Sequence, residues 1–449
     1  MDYVIMIGQL ILSLSILIVL HEMGHFLPAR LFDTRVEKFY LFFDPWFSLF
    51  KFKRGETEYG IGWLPLGGYV KISGMIDESM DKEQMLQPPQ PWEFRSKPAW
   101  QRLIIMLGGV TVNFLLGFFI LGMVYFVWGE EYLPNENVKY GIHVDSLGMQ
   151  LGLENGDKVL SVGDVPFEKF NDRQVFREII INEAKDIKVD RNGRQVTLPV
   201  TDEHLSELTK RENKGRYIFT TRLPFVVQEI ADQEDSPAKK AGIKKGDQII
   251  ATNGTPTPFY DQFYTISQAR KGQDTEITVL RNEKDTVNLN LKLTEEGQVG
   301  VFRESPSYFF ETERQDYTFF QAMPLGTKKG WNFLADQVKA FGQMFSGRLK
   351  AADSLGGFGS IAKLYGTVWI WENFWRMTAI ISLILAFMNL LPIPALDGGH
   401  VVFLLYEVVS GRKPSDKFME YSTIAGFFLI LSLLIFANGL DFLDWFKNL

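Results

Sequence analysis

The sequence predicts a multi-domain membrane protein: four transmembrane helices, a β-rich membrane-associated segment, and a large folded insert. Three observations predict it. Residues 3–20, 103–128, 377–396 and 421–440 contain no Asp, Glu, Lys or Arg, and each run is about 18 residues or longer, enough to cross a bilayer core. Residues 33–98 alternate short β-forming runs with Gly and Pro, and the segment between the second and third runs repeats a pattern 90 residues apart. Over 449 residues the chain is 46% hydrophobic and 22% charged, an average that hides this segregation. The net charge of −7 argues against a nucleic-acid partner. With no cysteine there is no disulfide framework, thiolate metal site or cysteine nucleophile.

Residues 1–32 read as a retained transmembrane helix rather than a signal peptide, because no Lys or Arg precedes the apolar run. The segment after it is rich in Lys and Arg, as is the loop carrying Arg412, Lys413 and Lys417, so both are expected on the cytoplasmic side. The termini and the insert then lie outside. Residues 33–98, with Tyr59 to Leu64 and Gly68 to Ile72, are expected to form β-hairpins that pack on the helices, since open strand edges do not face lipid. Residues 99–129 form the second span.

In the insert, Leu151-Gly152-Leu153-Glu154-Asn155-Gly156-Asp157 matches Ala241-Gly242-Ile243-Lys244-Lys245-Gly246-Asp247, and a β run follows each. A short helix ends at Gly, a Gly-Asp turn follows, and a core strand begins. The pattern resembles the PDZ domain and occurs twice, giving PDZ domains at 130–218 and 219–302. The resemblance implies binding of an extended peptide as an added strand, or size filtering of substrate. Residues 303–368 are a linker with an amphipathic helix at the outer interface, where Phe319, Phe320, Trp331 and Phe345 accompany Lys328, Lys329 and Lys339. Residues 369–400 are the third span and 401–449 a cytoplasmic loop with the fourth.

His21-Glu22-Met23-Gly24-His25 is an HExxH motif. Positions i and i+4 share a helix face, so both imidazoles can hold one Zn²⁺, and Glu22 beside them serves as general base. A catalytic zinc needs a third protein ligand. His143 and His204 lie in the insert, which leaves Asp397 and His400 at the end of the third apolar run. His21 lies about 27 Å along the first span, and both spans run from outside to inside, so the two sets reach one depth near the cytoplasmic face.

HExxH in the first span, Gly68-Tyr69-Val70-Lys71, Phe94 to Lys97, the tandem repeat, and Asn389-Leu390-Leu391-Pro392-Ile393-Pro394-Ala395-Leu396-Asp397-Gly398 together resemble the site-2 protease family of intramembrane zinc metalloproteases, in its bacterial sigma-E regulator branch. The resemblance covers nearly the whole chain. It implies zinc ligands His21, His25 and Asp397 and the base Glu22. It further implies substrate contacts at Asn389, Asn113 and the strand Gly68 to Ile72, and an inner-membrane location. Substrates would be single-span membrane proteins, an anti-sigma factor and signal-peptide remnants, cut after a first extracytoplasmic cleavage. Two stretches depart from the family: Gly109 to Asn113 lacks a proline, and Gly356-Gly357 is followed by Phe358. The alternative is a membrane-anchored PDZ scaffold with an inactive metal site, which zinc content distinguishes.

Overall fold

The structure, a computed structural model, describes residues 2–65, 67–75, 87–213, 215–232 and 236–447. It divides into two units, residues 1–129 with 316–342 and 354–449, and residues 130–315 with 343–353.

The first unit opens with helix α1 (Asp2–Leu31). Strands β1 (Val36–Leu41), β2 (Phe43–Arg54), β3 (Thr57–Leu64) and β4 (Tyr69–Ile72) form one sheet in the order β2-β3-β1-β4. A hairpin is present at β2–β3, closed by a two-residue turn between the paired Arg54 and Thr57, and its first strand was not among the runs expected. The rest is not hairpins. β1 runs parallel to β3, and β4 returns antiparallel to β1 as the last strand of the sheet. Helix α2 (Ala99–Trp128) follows.

In the second unit, β5 (Glu130–Tyr132) pairs with β18 (Glu313–Gln315). Between them run two similar modules. The first has β6 (Ile142–Val144), α3 (Ser146–Gln150), β7 (Lys158–Val162), β8 (Val165–Pro166), α4 (Asp172–Ile180), β9 (Asp186–Arg191), β10 (Arg194–Pro199), α5 (Asp202–Thr209) and β11 (Phe219–Thr221). The second has β12 (Phe225–Ile230), α6 (Pro237–Ala241), β13 (Gln248–Thr252), β14 (Thr255–Pro256), α7 (Tyr260–Ala269), β15 (Asp274–Arg281), β16 (Asp285–Lys292) and β17 (Val301–Arg303). β11 pairs with β6, and Phe219 is 1% exposed in the first core, so the boundary expected at 218/219 moves past Thr221.

The repeat extends into the cores. Leu153, Val159, Ile187 and Val189 of the first core sit at the positions of Ile243, Ile249, Ile277 and Val279 of the second. It also includes a matched clamp. Arg191 donates through Nε and Nη2 to Asp157 at 2.8 Å each and to the Gly152 carbonyl at 2.8 Å. Arg281 does the same to Asp247 at 2.9 and 2.7 Å and to the Gly242 carbonyl at 2.9 Å. Both aspartates are 1% exposed.

The chain continues with α8 (Phe319–Phe345), a helix within the expected linker 303–368, then α9 (Phe358–Tyr365), α10 (Trp371–Leu390), α11 (Asp397–Ser410) and α12 (Asp416–Lys447). Among the described residues, four helices are long and apolar enough to cross a membrane: Tyr3–Leu31, Ala99–Trp128, Trp371–Leu390 and Lys417–Lys447. The third differs from expectation. The apolar run continues to Leu396, but Pro392 and Pro394 lack the N–H a helix needs, so α10 ends at Leu390. Asp397 therefore starts a separate helix instead of ending the span.

Candidate metal centre

Helix α1 presents His21 and His25 one turn apart, with ring centroids 4.9 Å apart and planes at 82°. Where these rings stand, α1 crosses α2 almost backbone to backbone. A Cβ on Gly24 would lie 2.5 Å from the Gly108 carbonyl oxygen, and one on Gly109 would strike His25 Nε2 and lie 2.7 Å from His21 Cε1. Only glycine at 109 leaves room for both imidazoles. The crossing also brings the Ile105 carbonyl to His25, where it accepts from Nδ1 at 2.8 Å. A carbonyl can only accept, so Nδ1 carries the proton and Nε2 keeps its lone pair.

Asp397 arrives from the other side. The loop after α10 turns through Ala395 at φ 94°, and α11 begins at Asp397. Helix α11 is pinned to α2 by Arg102, which donates to Glu407 Oε1 at 2.5 Å with only 8% and 20% of the two side chains exposed. Asp397 Oδ2 then lies 3.3 Å from His21 Nε2 and 3.4 Å from His25 Nε2, and the two Nε2 atoms are 3.3 Å apart.

This triangle tests the fit of a metal. Nitrogen and oxygen ligands about 2.0–2.1 Å from zinc at tetrahedral angles sit about 3.3 Å from one another. The three donor atoms have that spacing, and Asp397 Oδ2 is buried with no hydrogen-bond donor of the protein. The residues present fit the ion, with a fourth position left over. Among the described residues the donor cluster consists of His21, His25 and Asp397; His400, the alternative third ligand, is outside it.

The other expected site residues divide. Asn389 at the end of α10 reaches the centre, with Nδ2 3.4 Å from His21 Nε2. Asn113 is 1% exposed and its amide faces His21 Nδ1 at 3.2 Å. The nearest amide atom is Nδ2; with the amide turned about, Oδ1 would accept from Nδ1–H and gain the donor it otherwise lacks. Glu22 is 9% exposed between the histidines, and the Val70 backbone of β4 reaches its carboxylate.

Of the strand Gly68 to Ile72, the side chains are engaged within the protein. Tyr69 stacks on Tyr40 and donates to Asp44 Oδ1 at 2.8 Å; Lys71 pairs with Glu37 at 3.3 Å; Ile72 is 3% exposed. Burial, with the Asp44 carboxylate beside it, pushes the Tyr69 phenol above its ordinary range, so this bond persists at alkaline pH. What β4 offers is its main chain, close to Glu22.

Sequence reasoning missed Ile105 and the roles of Gly24, Gly108 and Gly109. The only signal was the short Gly108-Gly109 pair inside an apolar helix, where glycine weakens the helix unless a neighbour comes close.

The model of peptidase family M50 matches residues 9–433. A Neisseria meningitidis relative whose name assigns it to the zinc metalloproteases is 27% identical over 446 residues, covering 95% of this chain and 96% of its own length. The regulator of sigma E protease of Haemophilus influenzae is 27% identical over 99% of this chain and all of its own, and protease RseP of Yersinia pestis is 28% identical over 97% and 98%. With the family match running from within the first apolar helix into the fourth, this chain belongs to peptidase family M50 and is a membrane zinc metalloprotease.

Proposed function

We propose that the chain hydrolyses peptide bonds within the membrane-spanning segments of single-span membrane proteins, with His21, His25 and Asp397 as zinc ligands and Glu22 as general base. The observation that carries this is the 3.3–3.4 Å triangle of donor atoms built on helices long enough to cross a bilayer. Zinc bound there supplies Lewis acidity toward the scissile carbonyl and acidifies water. Glu22 takes a proton from the attacking water and passes it to the leaving amine nitrogen. The Ile105 carbonyl holds His25 in the tautomer that presents Nε2, and the Asn113 amide lies against the His21 ring at Nδ1.

A peptide bond inside a helix is shielded by its own hydrogen bonds, so the substrate is unwound before it is cut. Strand β4 receives the unwound segment through main-chain bonds, with Asn389 contacting it beside the metal. The engaged side chains of Tyr69, Lys71 and Ile72 favour this sequence-tolerant mode. One relative is named as a regulator of sigma E, which fits an anti-sigma factor as one substrate of this chain; signal-peptide remnants are a second class. The two modules of the second unit act as PDZ domains that bind or size-filter substrate parts outside an inner membrane; their repeated cores and Gly-Asp turns support this reading. The charge bias of the connecting segments supports termini outside and a centre near the cytoplasmic face.

The test is Glu22→Gln. The variant is expected to retain zinc at wild-type stoichiometry and to lose cleavage of a membrane-tethered substrate by at least about 100-fold. Cleavage at the wild-type rate by the purified variant would sink the assignment.

A further inference from the structure

The spans of the first unit contain polar side chains that the chemistry above does not use. Gln9 and Ser13 on α1, Tyr365 at the end of α9, and Thr378 and Ser382 on α10 are each 0–1% exposed, as is Asn113 on α2. As a seam they follow the packing of α1 with α9 and α10 and of α10 with α2, and the Thr378 hydroxyl donates to the Phe374 carbonyl of its own helix at 2.8 Å. Gln9 Nε2 donates to the Gly366 carbonyl at 3.2 Å, next to exposed Thr367. The Tyr365 hydroxyl is faced by Ser13 and Thr378. Ser382 lies one turn further along α10 and donates to the Asn113 carbonyl at 2.8 Å, and the Asn113 amide touches His21. From Gln9 to His21 the seam runs about 18 Å along α1.

Burying polar atoms in apolar spans is costly unless they are satisfied, and several here are not satisfied by the protein. Gln9 Oε1, Ser13 Oγ, the Tyr365 hydroxyl and Asn113 Oδ1 have no protein hydrogen-bond partner of good geometry. The Asn113 oxygen can turn to His21; of the other three, Ser13 and Tyr365 face each other without a hydrogen bond of good geometry, and Gln9 Oε1 has no partner. Water is the ligand small enough to serve such groups, and it takes about three hydrogen bonds when buried. Peptide hydrolysis consumes one water per bond cut: its hydroxyl goes to the carbonyl carbon and its hydrogen to the amine nitrogen.

We propose that this seam holds a file of water molecules that leads from the Gly366–Thr367 surface to the metal centre and replenishes the water consumed. The inference rests on the intramembrane reading above. Gln9, Ser13, Tyr365 and Thr378 are positioning residues for water and touch no reacting atom.

The chain has no cysteine, so a single introduced thiol reports alone. Ser13→Cys and Thr378→Cys are placed singly in the full-length chain, with Leu17→Cys and Leu383→Cys, both 0% exposed on the same helices, as dry controls. Reaction with the hydrophilic reagent aminoethyl methanethiosulfonate is expected to be at least tenfold faster at 13 and 378 than at 17 and 383. Equal rates overturn the proposal. The triple variant Ser13→Ala/Tyr365→Phe/Thr378→Val is expected to lower kcat at least fivefold on a membrane-tethered substrate, with KM and zinc content unchanged. An unchanged kcat overturns the proposal even where the thiols react. If the wild-type protein cuts no membrane segment, the intramembrane reading fails, while the thiol rates still decide whether the seam is wet.

Discussion

At position 109 the absence of one carbon decides whether two imidazoles can stand side by side. A Cβ there would lie within 3 Å of both His21 and His25. Gly109→Ala is expected to push the rings off the triangle and lower zinc affinity about 10–100-fold, read by metal analysis after dialysis, while α2 keeps its helical content. Asp397→Asn replaces an ionised donor by a neutral one at the same position. It should weaken zinc retention by about tenfold or more, whereas His400→Ala, outside the cluster, should leave it unchanged. Zinc lost from the His400 variant and kept by the Asp397 variant would reverse the assignment. The two histidines were legible because a helix converts a spacing of four into one face. Asp397 was legible through the depth argument and the family resemblance. Gly109 and Ile105 were not, because their roles arise where helices some 80 residues apart in sequence cross, and periodicity within one helix carries no trace of that.

The elements show a similar division. Apolar runs reveal where charge is absent but not where the backbone stops, so the third run hid the break at Pro392 and the start of α11 at Asp397. The Gly- and Pro-broken runs suggested hairpins in general; strand β2 and its turn to β3 were not read, and the parallel β1–β3 pairing depends on a longer connection with no local signal. In the insert, the Gly-Asp repeat was read as a turn. Its aspartates are also buried anchors for Arg191 and Arg281, at the same spacing in each copy. Removing one partner from such a pair leaves a buried carboxylate uncompensated, at about 3–5 kcal/mol. Arg281→Ala should therefore reduce hydrogen-exchange protection of β13 and β15 by that order in the full-length chain and leave β7 and β9 unaffected. Loss of protection in both modules alike would show that they unfold as one.

At the scale of the molecule, four apolar runs were evident from composition and the repeat from a motif match, and the described residues contain four such helices and matched cores. The return of residues 343–353 to the second unit was not evident, because composition records how apolar a segment is and not which unit its next turn joins. The crossing of α1 and α2 has a mechanical consequence. Two rods that touch at backbone contact can scissor about that point but cannot slide past it, and Gly24, the contact on α1, sits between Glu22 and His25. His21 and His25 are within about 5 Å of this pivot along α1, whereas Tyr3 is about 31 Å away. A five-degree swing would displace the far end by nearly about 3 Å and the imidazoles by less than about 0.5 Å. The metal triangle therefore occupies the still point of a lever, where its ångström-scale tolerances survive while the ends of the same helices follow the bilayer and whatever enters it.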